Sequence, residues 1–158
     1  MATTLNEPKP VRIIPKEKAV FRLDKNGNWR AEDEKFRNQK IINYFHSLIK
    51  KDQDGFFLEQ EQEHFIEKVY FPYEDTALFV NRIIESDGLV LCTNTGKHIK
   101  LDPEKLLIKN DDLYFQSGED LIKFNQNALL ALADYMDDVD DQFAINIDGE
   151  RYLIPRME

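Results

Sequence analysis

Residues 38–71 read NQKIINYFHSLIKKDQDGFFLEQEQEHFIEKVYF, and this stretch decides the fold. Its first part places Ile41, Ile42, Phe45, Leu48 and Ile49 at the three-and-four spacing of one helix face. Asn38 can accept from the first unpaired amides, and Lys50 and Lys51 suit the negative end of the dipole, so a helix is predicted over 38–51. Asp52-Gln53-Asp54-Gly55 breaks it, and 56–59 with 65–71 read as a hairpin around the polar loop 60–63. The pattern returns 87 positions later, placing Ile42 on Leu129, Phe45 on Leu132, Leu48 on Tyr135, Ile49 on Met136, Phe56 on Phe143, Phe65 on Tyr152 and Ile66 on Leu153. Such spacing reads as an internal duplication.

Working outward, 20–23 and Trp29 flank Asp24-Lys25-Asn26-Gly27, an Asn-Gly turn signal that predicts a first hairpin anchored by Trp29. Its echo is 106–109 and 113–116 around Asn110-Asp111-Asp112, with Tyr114 or Phe115 in the role of Trp29. The helix repeats over 125–137, with Leu129, Leu130, Leu132, Tyr135 and Met136 inward and Asn125 or Asn127 as cap. A last hairpin joins 143–147 to 151–154 across Asp148-Gly149. Between the copies, 72–104 is unrepeated and carries strands at 78–84, 89–93 and 97–101, with turns at Asp87-Gly88 and Asn94-Thr95-Gly96. The expectation is an α+β fold: two repeated hairpin-helix-hairpin units (19–71 and 105–155) of mostly antiparallel sheet, one helix packed from each on a continuous sheet system. Together with the insert they form a single globular domain over 19–158. Residues 1–18, rich in Pro and Lys, read as an extended arm that reaches the globule near 11–14 and is disordered at its start.

Charge narrows the partners. The net charge of -9 is concentrated, since residues 102–158 hold 14 acids against 5 bases while 1–101 balance. Nucleic acid and anionic membrane are disfavoured, because binding phosphate needs clustered Lys and Arg. The single cysteine, Cys92, lies in an apolar run and points to a reducing compartment. With no apolar signal core at the N-terminus and no window of about 18 apolar residues, a cytoplasmic location is expected.

Familiar chemistries fail on spacing. Asp52-Gln53-Asp54-Gly55, Asp24-Lys25-Asn26-Gly27 and the 137–141 acids resemble a calcium loop, but counting back five residues from Gly55, Gly27 and Gly88 gives Lys50, Arg22 and Ile83, where such a loop needs an acid. His46, His64, His98 and Cys92 match no zinc pattern, and His46 is expected to be solvated on its helix. No serine sits in a nucleophile elbow, and no glycine-rich phosphate loop occurs. No metal and no cofactor is therefore expected. Two features stand out. Tyr70-Phe71-Pro72-Tyr73-Glu74-Asp75 sets three aromatics beside two carboxylates. Asp134, Asp137, Asp138, Asp140 and Asp141 crowd the end of the second predicted helix, where acids oppose the dipole and hint at a partner.

Gly27-Asn28-Trp29, Asp54-Gly55-Phe56-Phe57-Leu58, Tyr73-Glu74-Asp75-Thr76-Ala77-Leu78-Phe79 and Thr93-Asn94-Thr95-Gly96, in that order, resemble the bacterial domain-of-unknown-function family 1285. The resemblance covers about residues 21–101; after the Trp, where the family has His and Gly, this chain has Ala31-Glu32-Asp33. It implies an α+β fold with repeated motifs and a link to signal transduction, with no established activity. The reading is a non-enzymatic regulatory or binding module that takes an unidentified protein or small molecule. Its site is expected in a groove near the junction of the two repeats, built from Tyr70, Tyr73, Glu74 and Asp75 with Asn94 and Lys97 opposite. The alternatives are a small hydrolase or lyase using His64 or His98 with a carboxylate, or a scaffold offering a strand edge or the acidic patch.

Overall fold

A computed structural model describes residues 8–157 and divides the chain into two compact units. The first takes the chain up to Glu74 apart from Lys25–Gly27; the second takes Lys25–Gly27 and everything from Asp75 onward. The expected disorder at the start of the arm lies outside the described residues.

In the first unit, β1 (Val11–Ile14) precedes a three-stranded antiparallel sheet of β2 (Arg22–Leu23), β3 (Trp29–Ala31) and β4 (Glu34–Lys35). Next come α1 (Gln39–Ser47), β5 (Ile49–Asp52), β6 (Gly55–Glu61) and β7 (Ile66–Tyr70). The arm joins β7 in parallel, Val11 opposite Ile66, which gives the order β1-β7-β6-β5. Asn38 caps α1 as its position implies, accepting from the amides of Lys40 at 3.0 Å and Ile41 at 3.2 Å. The helix predicted to Lys51 stops at Ser47. Leu48 and Ile49 continue the helical spacing, but the turn at Asp52-Gly55 lets 49–52 pair with β6, Ile49 opposite Leu58, and that pairing satisfies the backbone while burying Ile49. Around Trp29, which is 1% exposed, Phe71, Phe45 and Phe21 stand edge-on with ring centroids at 4.9, 5.4 and 5.8 Å. Each such pair contributes about 0.5–1.5 kcal/mol beyond its buried area.

The second unit runs β8 (Phe79–Glu85), β9 (Leu89–Thr93), β10 (His98–Lys100), β11 (Leu106–Lys109), β12 (Asp112–Ser117), β13 (Asp120–Phe124), α2 (Gln126–Ala133), β14 (Met136–Val139), β15 (Gln142–Ile147), β16 (Glu150–Leu153) and β17 (Arg156–Met157). Seven strands form one open sheet, β10-β9-β8-β13-β12-β11-β17, parallel only at β8-β13 and β11-β17. β14, β15 and β16 form a separate antiparallel sheet. Ala128 and Leu132 turn inward from α2 into a core with Val80, Phe124 and Ile145. Cys92 is buried in β9.

The three strands on either side of α1 (β2–β4 and β5–β7) and of α2 (β11–β13 and β14–β16) follow the same order along the chain. The caps Asn38 and Asn125 are 87 residues apart, as are Ile49 and Met136, the first residues of β5 and β14. The helix predicted over 125–137 is cut short as α1 is, because 136–139 pairs with β15 as β14. Leu129 and Leu130, expected inward, are 37% and 67% exposed. The expected continuous sheet is replaced by four, although in each unit one parallel ladder, β1 with β7 and β11 with β17, joins a strand before the helix to one after it.

Candidate functional site

Tyr70, Tyr73 and Glu74 belong to the first unit. The Tyr70 ring meets Phe57 at 5.3 Å and the Tyr73 ring meets Phe56 at 5.1 Å. Phe56 and Phe57 are consecutive in β6, so they face opposite sides of the sheet and the two tyrosines do not form one stacking surface. The Tyr70 hydroxyl donates to Asp52 Oδ2 at 2.5 Å, with Lys68 Nζ 3.8 Å from the same oxygen. That bond is the main cause holding the Asp52 carboxyl below its ordinary range and pushing the Tyr70 phenol up to about 12. Glu74 is exposed.

Asp75, Asn94 and Lys97 belong to the second unit. Asn94 is buried and ties the chain together: Oδ1 accepts from the Phe79 amide at 2.9 Å and Nδ2 donates to the Ala77 carbonyl at 3.0 Å. Lys97 is exposed at the β9-β10 tip, its amide donating to Thr93 Oγ1 at 3.0 Å. Asp75 accepts from the hydroxyl of Tyr114 and faces Lys123 Nζ at 3.6 Å. The Lys123 side chain, 7% exposed, also reaches Asp112 Oδ2 at 3.3 Å and donates to the Lys25 carbonyl at 2.9 Å. Two carboxylates and a carbonyl offset the cost of burying that ammonium. Burial first, then the bond to Asp75, raises the Tyr114 phenol far above its ordinary value, so it stays a proton donor at neutral pH.

Asp112 leads to a feature that none of the six expected residues touches. Beside Lys123, a groove of about 540 Å³ opens between α2, β11-β12 and β14-β15. Ile108 and Leu113 are its buried floor, while Leu129, Ala133, Met136 and Phe143 line it from above. Leu129 and Phe143 are 37% and 39% exposed. Asp111, Asp112, Asp137 and Asp138 stand among its lining residues, with Arg156 as the one base. Apolar lining with a few polar groups, in this size range, suits a bound side chain or small molecule. Two other hollows are more polar: one of about 320 Å³ beside Glu85, Asp87, Tyr135 and Asp148, and one of about 900 Å³ beside Arg22, Arg30, Glu32, Asp33 and Glu34.

No protein-family model matches the sequence. No curated protein matches it either. Among solved structures, a DUF1285 family protein from Silicibacter pomeroyi DSS-3 superposes with a TM-score of 0.60 at 14% identity, over 96% of this chain and 86% of that one. A DUF1285 family protein from Shewanella baltica OS155 gives 0.53 at 18% identity, over 75% of this chain and 94% of that one. The chain has the DUF1285 fold. That fold agrees with the α+β architecture that the sequence resemblance implies.

Within this DUF1285 fold, the histidines weighed from sequence for a hydrolase or lyase lie at the surface. His64 is exposed beside Glu63, 3.8 Å away, and His98 is exposed on β10. His46, expected to be solvated, is instead half-buried, and Nδ1 accepts from the Trp29 indole N–H at 3.2 Å. Among the described residues no three His, Cys, Asp or Glu side chains converge as a metal site, and no helix is long and apolar enough to cross a membrane. Sequence reasoning missed Leu129, Met136 and Phe143 as surface because all three carry the repeat's apolar pattern. The signal was present in α2, QNALLALA, which has no charged residue and more leucine than one buried stripe can hold. The acids after it were noticed but misplaced: only Asp134 caps the helix, while Asp137 and Asp138 lie on β14.

Proposed function

We propose that the chain is a divergent DUF1285 protein, built from two pseudo-repeats (19–71 and 105–155) around the unrepeated insert 72–104, that acts in the cytoplasm as a non-enzymatic binding module of a regulatory kind. Support for the repeat comes from the common order of strands and helix and from the 87-residue spacing of caps and strand starts. Support for a non-enzymatic role comes from where the perturbed groups are spent. Tyr70 serves Asp52, Tyr114 serves Asp75, Tyr135 serves Glu85, Tyr152 serves Glu150 and His46 serves Trp29, each within its own unit. Of the six residues expected from sequence, Asp75 keeps a part as the partner of Lys123, which also holds Asp112 at the groove.

The observation that carries the reading is the groove itself, where Leu129 and Phe143 stay accessible above Ile108 and Leu113. An apolar surface left open at a concave site costs solubility and is retained where something binds. Titration with the neutral apolar dye Nile red tests it. Wild type is expected to give saturable, blue-shifted fluorescence, and Ala133→Phe, which fills the groove from an exposed helix position, should abolish it without changing the melting curve. Absence of saturable binding, or binding indifferent to Ala133→Phe, would overturn the reading.

A further inference from the structure

We propose that the occupant of this groove is a cationic amphipathic segment of a partner protein, its apolar residues on Leu129 and Phe143 and its Lys or Arg side chains on the acids beside them; this rests on the binding reading above. The charge arrangement selects that partner. Of the four acids, Asp112 is held by Lys123, and Asp137 by Arg151 at 3.2 Å and Asn146 at 2.6 Å. Asp111 and Asp138 form no ion pair among the described residues. Two carboxylates thus remain available to an incoming cation at the edge of an apolar floor, where partial desolvation strengthens each contact.

The groove also shows how it treats a cation. Arg156 sits over the Phe143 ring, its guanidinium carbon 5.9 Å from the ring centroid, and donates to the Asp141 carbonyl at 3.4 Å. A guanidinium over this ring and among these acids is the contact a partner's arginine would make. At longer range, the 14 acids and 5 bases of residues 102–158 attract a basic segment and repel nucleic acid, anionic lipid and acidic peptides. Paired apolar and basic residues at helical spacing meet both demands of the groove.

Fluorescence anisotropy with three labelled peptides of equal length tests the proposal: Leu and Lys with leucines at i, i+3, i+4 and i+7; the same peptide with Gln for Lys; and the Leu/Lys composition scrambled to destroy amphipathicity. The first should bind at least tenfold more tightly than the other two, weaken about tenfold or more between low and high salt, and lose binding with Ala133→Phe. Arg156→Ala should tighten it severalfold by removing the resident cation. Equal binding of the Gln peptide, equal binding of the scrambled peptide, weaker binding by Arg156→Ala, or no peptide binding while Nile red still binds would overturn the cationic partner and leave the binding site standing. Loss of Nile red binding as well would remove the site itself.

Discussion

Lowering the pH from 7 to 4.5 is expected to destabilise the first unit through His46, and the amount follows from its setting. The imidazole is half-buried against Trp29, with ring centroids 5.7 Å apart, and Nδ1 must keep its lone pair to accept from the Trp29 indole. Burial lowers its pKa from 6.5 to about 4. Above about pH 7.5 the imidazole is neutral in both folded and unfolded chains and stability is complete. As pH falls toward 4 the unfolded chain takes up a proton that the folded one refuses, so stability is lost across that window. Between pH 7 and 4.5 linkage gives a loss of about 2 kcal/mol from this residue. Trp29 is the only tryptophan, so urea unfolding followed by its fluorescence reports on this unit. His46→Gln keeps a neutral acceptor without the basicity. Its loss of stability between the two pH values should be smaller than the wild-type loss by about 2 kcal/mol, the carboxylates contributing equally to both proteins. An equal loss in wild type and His46→Gln would refute the assignment of acid sensitivity to His46.

Other perturbations follow from the same geometry. Lys123→Met should cost about 2–3 kcal/mol by leaving Asp75 and Asp112 without their cation, and adding Asp75→Asn should restore part of it, a coupling that a double-mutant cycle in thermal or urea unfolding reads directly. Asp141 holds a left-handed backbone, φ 66°, beside Asp140 at 49°, in a two-residue turn that prefers glycine second, so Asp141→Gly should stabilise the protein by about 0.5–1 kcal/mol in the same measurement. Gly27→Ala should destabilise it, because φ is 81° and the new Cβ would stand 3.2 Å from the Phe79 ring.

The strength of local signals decided what could be read from the sequence. Asn38 and Asn125 cap their helices because a short polar side chain before an apolar run has one natural use. The helix ends were lost at Leu48-Ile49 and Tyr135-Met136, where apolar spacing suits a helix but a turn three residues on creates a strand partner. β13 escaped notice because Leu121-Ile122-Lys123-Phe124 is short and its lysine interrupts the pattern, although that lysine is buried on Asp75 and Asp112. Asn94 read as a polar turn residue at a site, yet its amide is spent on Ala77 and Phe79. The groove was hardest to see. Its residues look like core in every respect except that Leu129 and Leu130 cannot both face inward from a helix already burying Ala128 and Leu132.

The groove of the second unit is the proposed docking site of a partner. Methyl-detected NMR during titration with the amphipathic Leu/Lys peptide measures this at residue resolution. Progressive shifts are expected at Ile108, Leu113, Leu129 and Met136, and Ala133→Phe should remove them. Shifts confined to other exposed apolar side chains, such as Val11, Ile13 or Leu153, would contradict docking there.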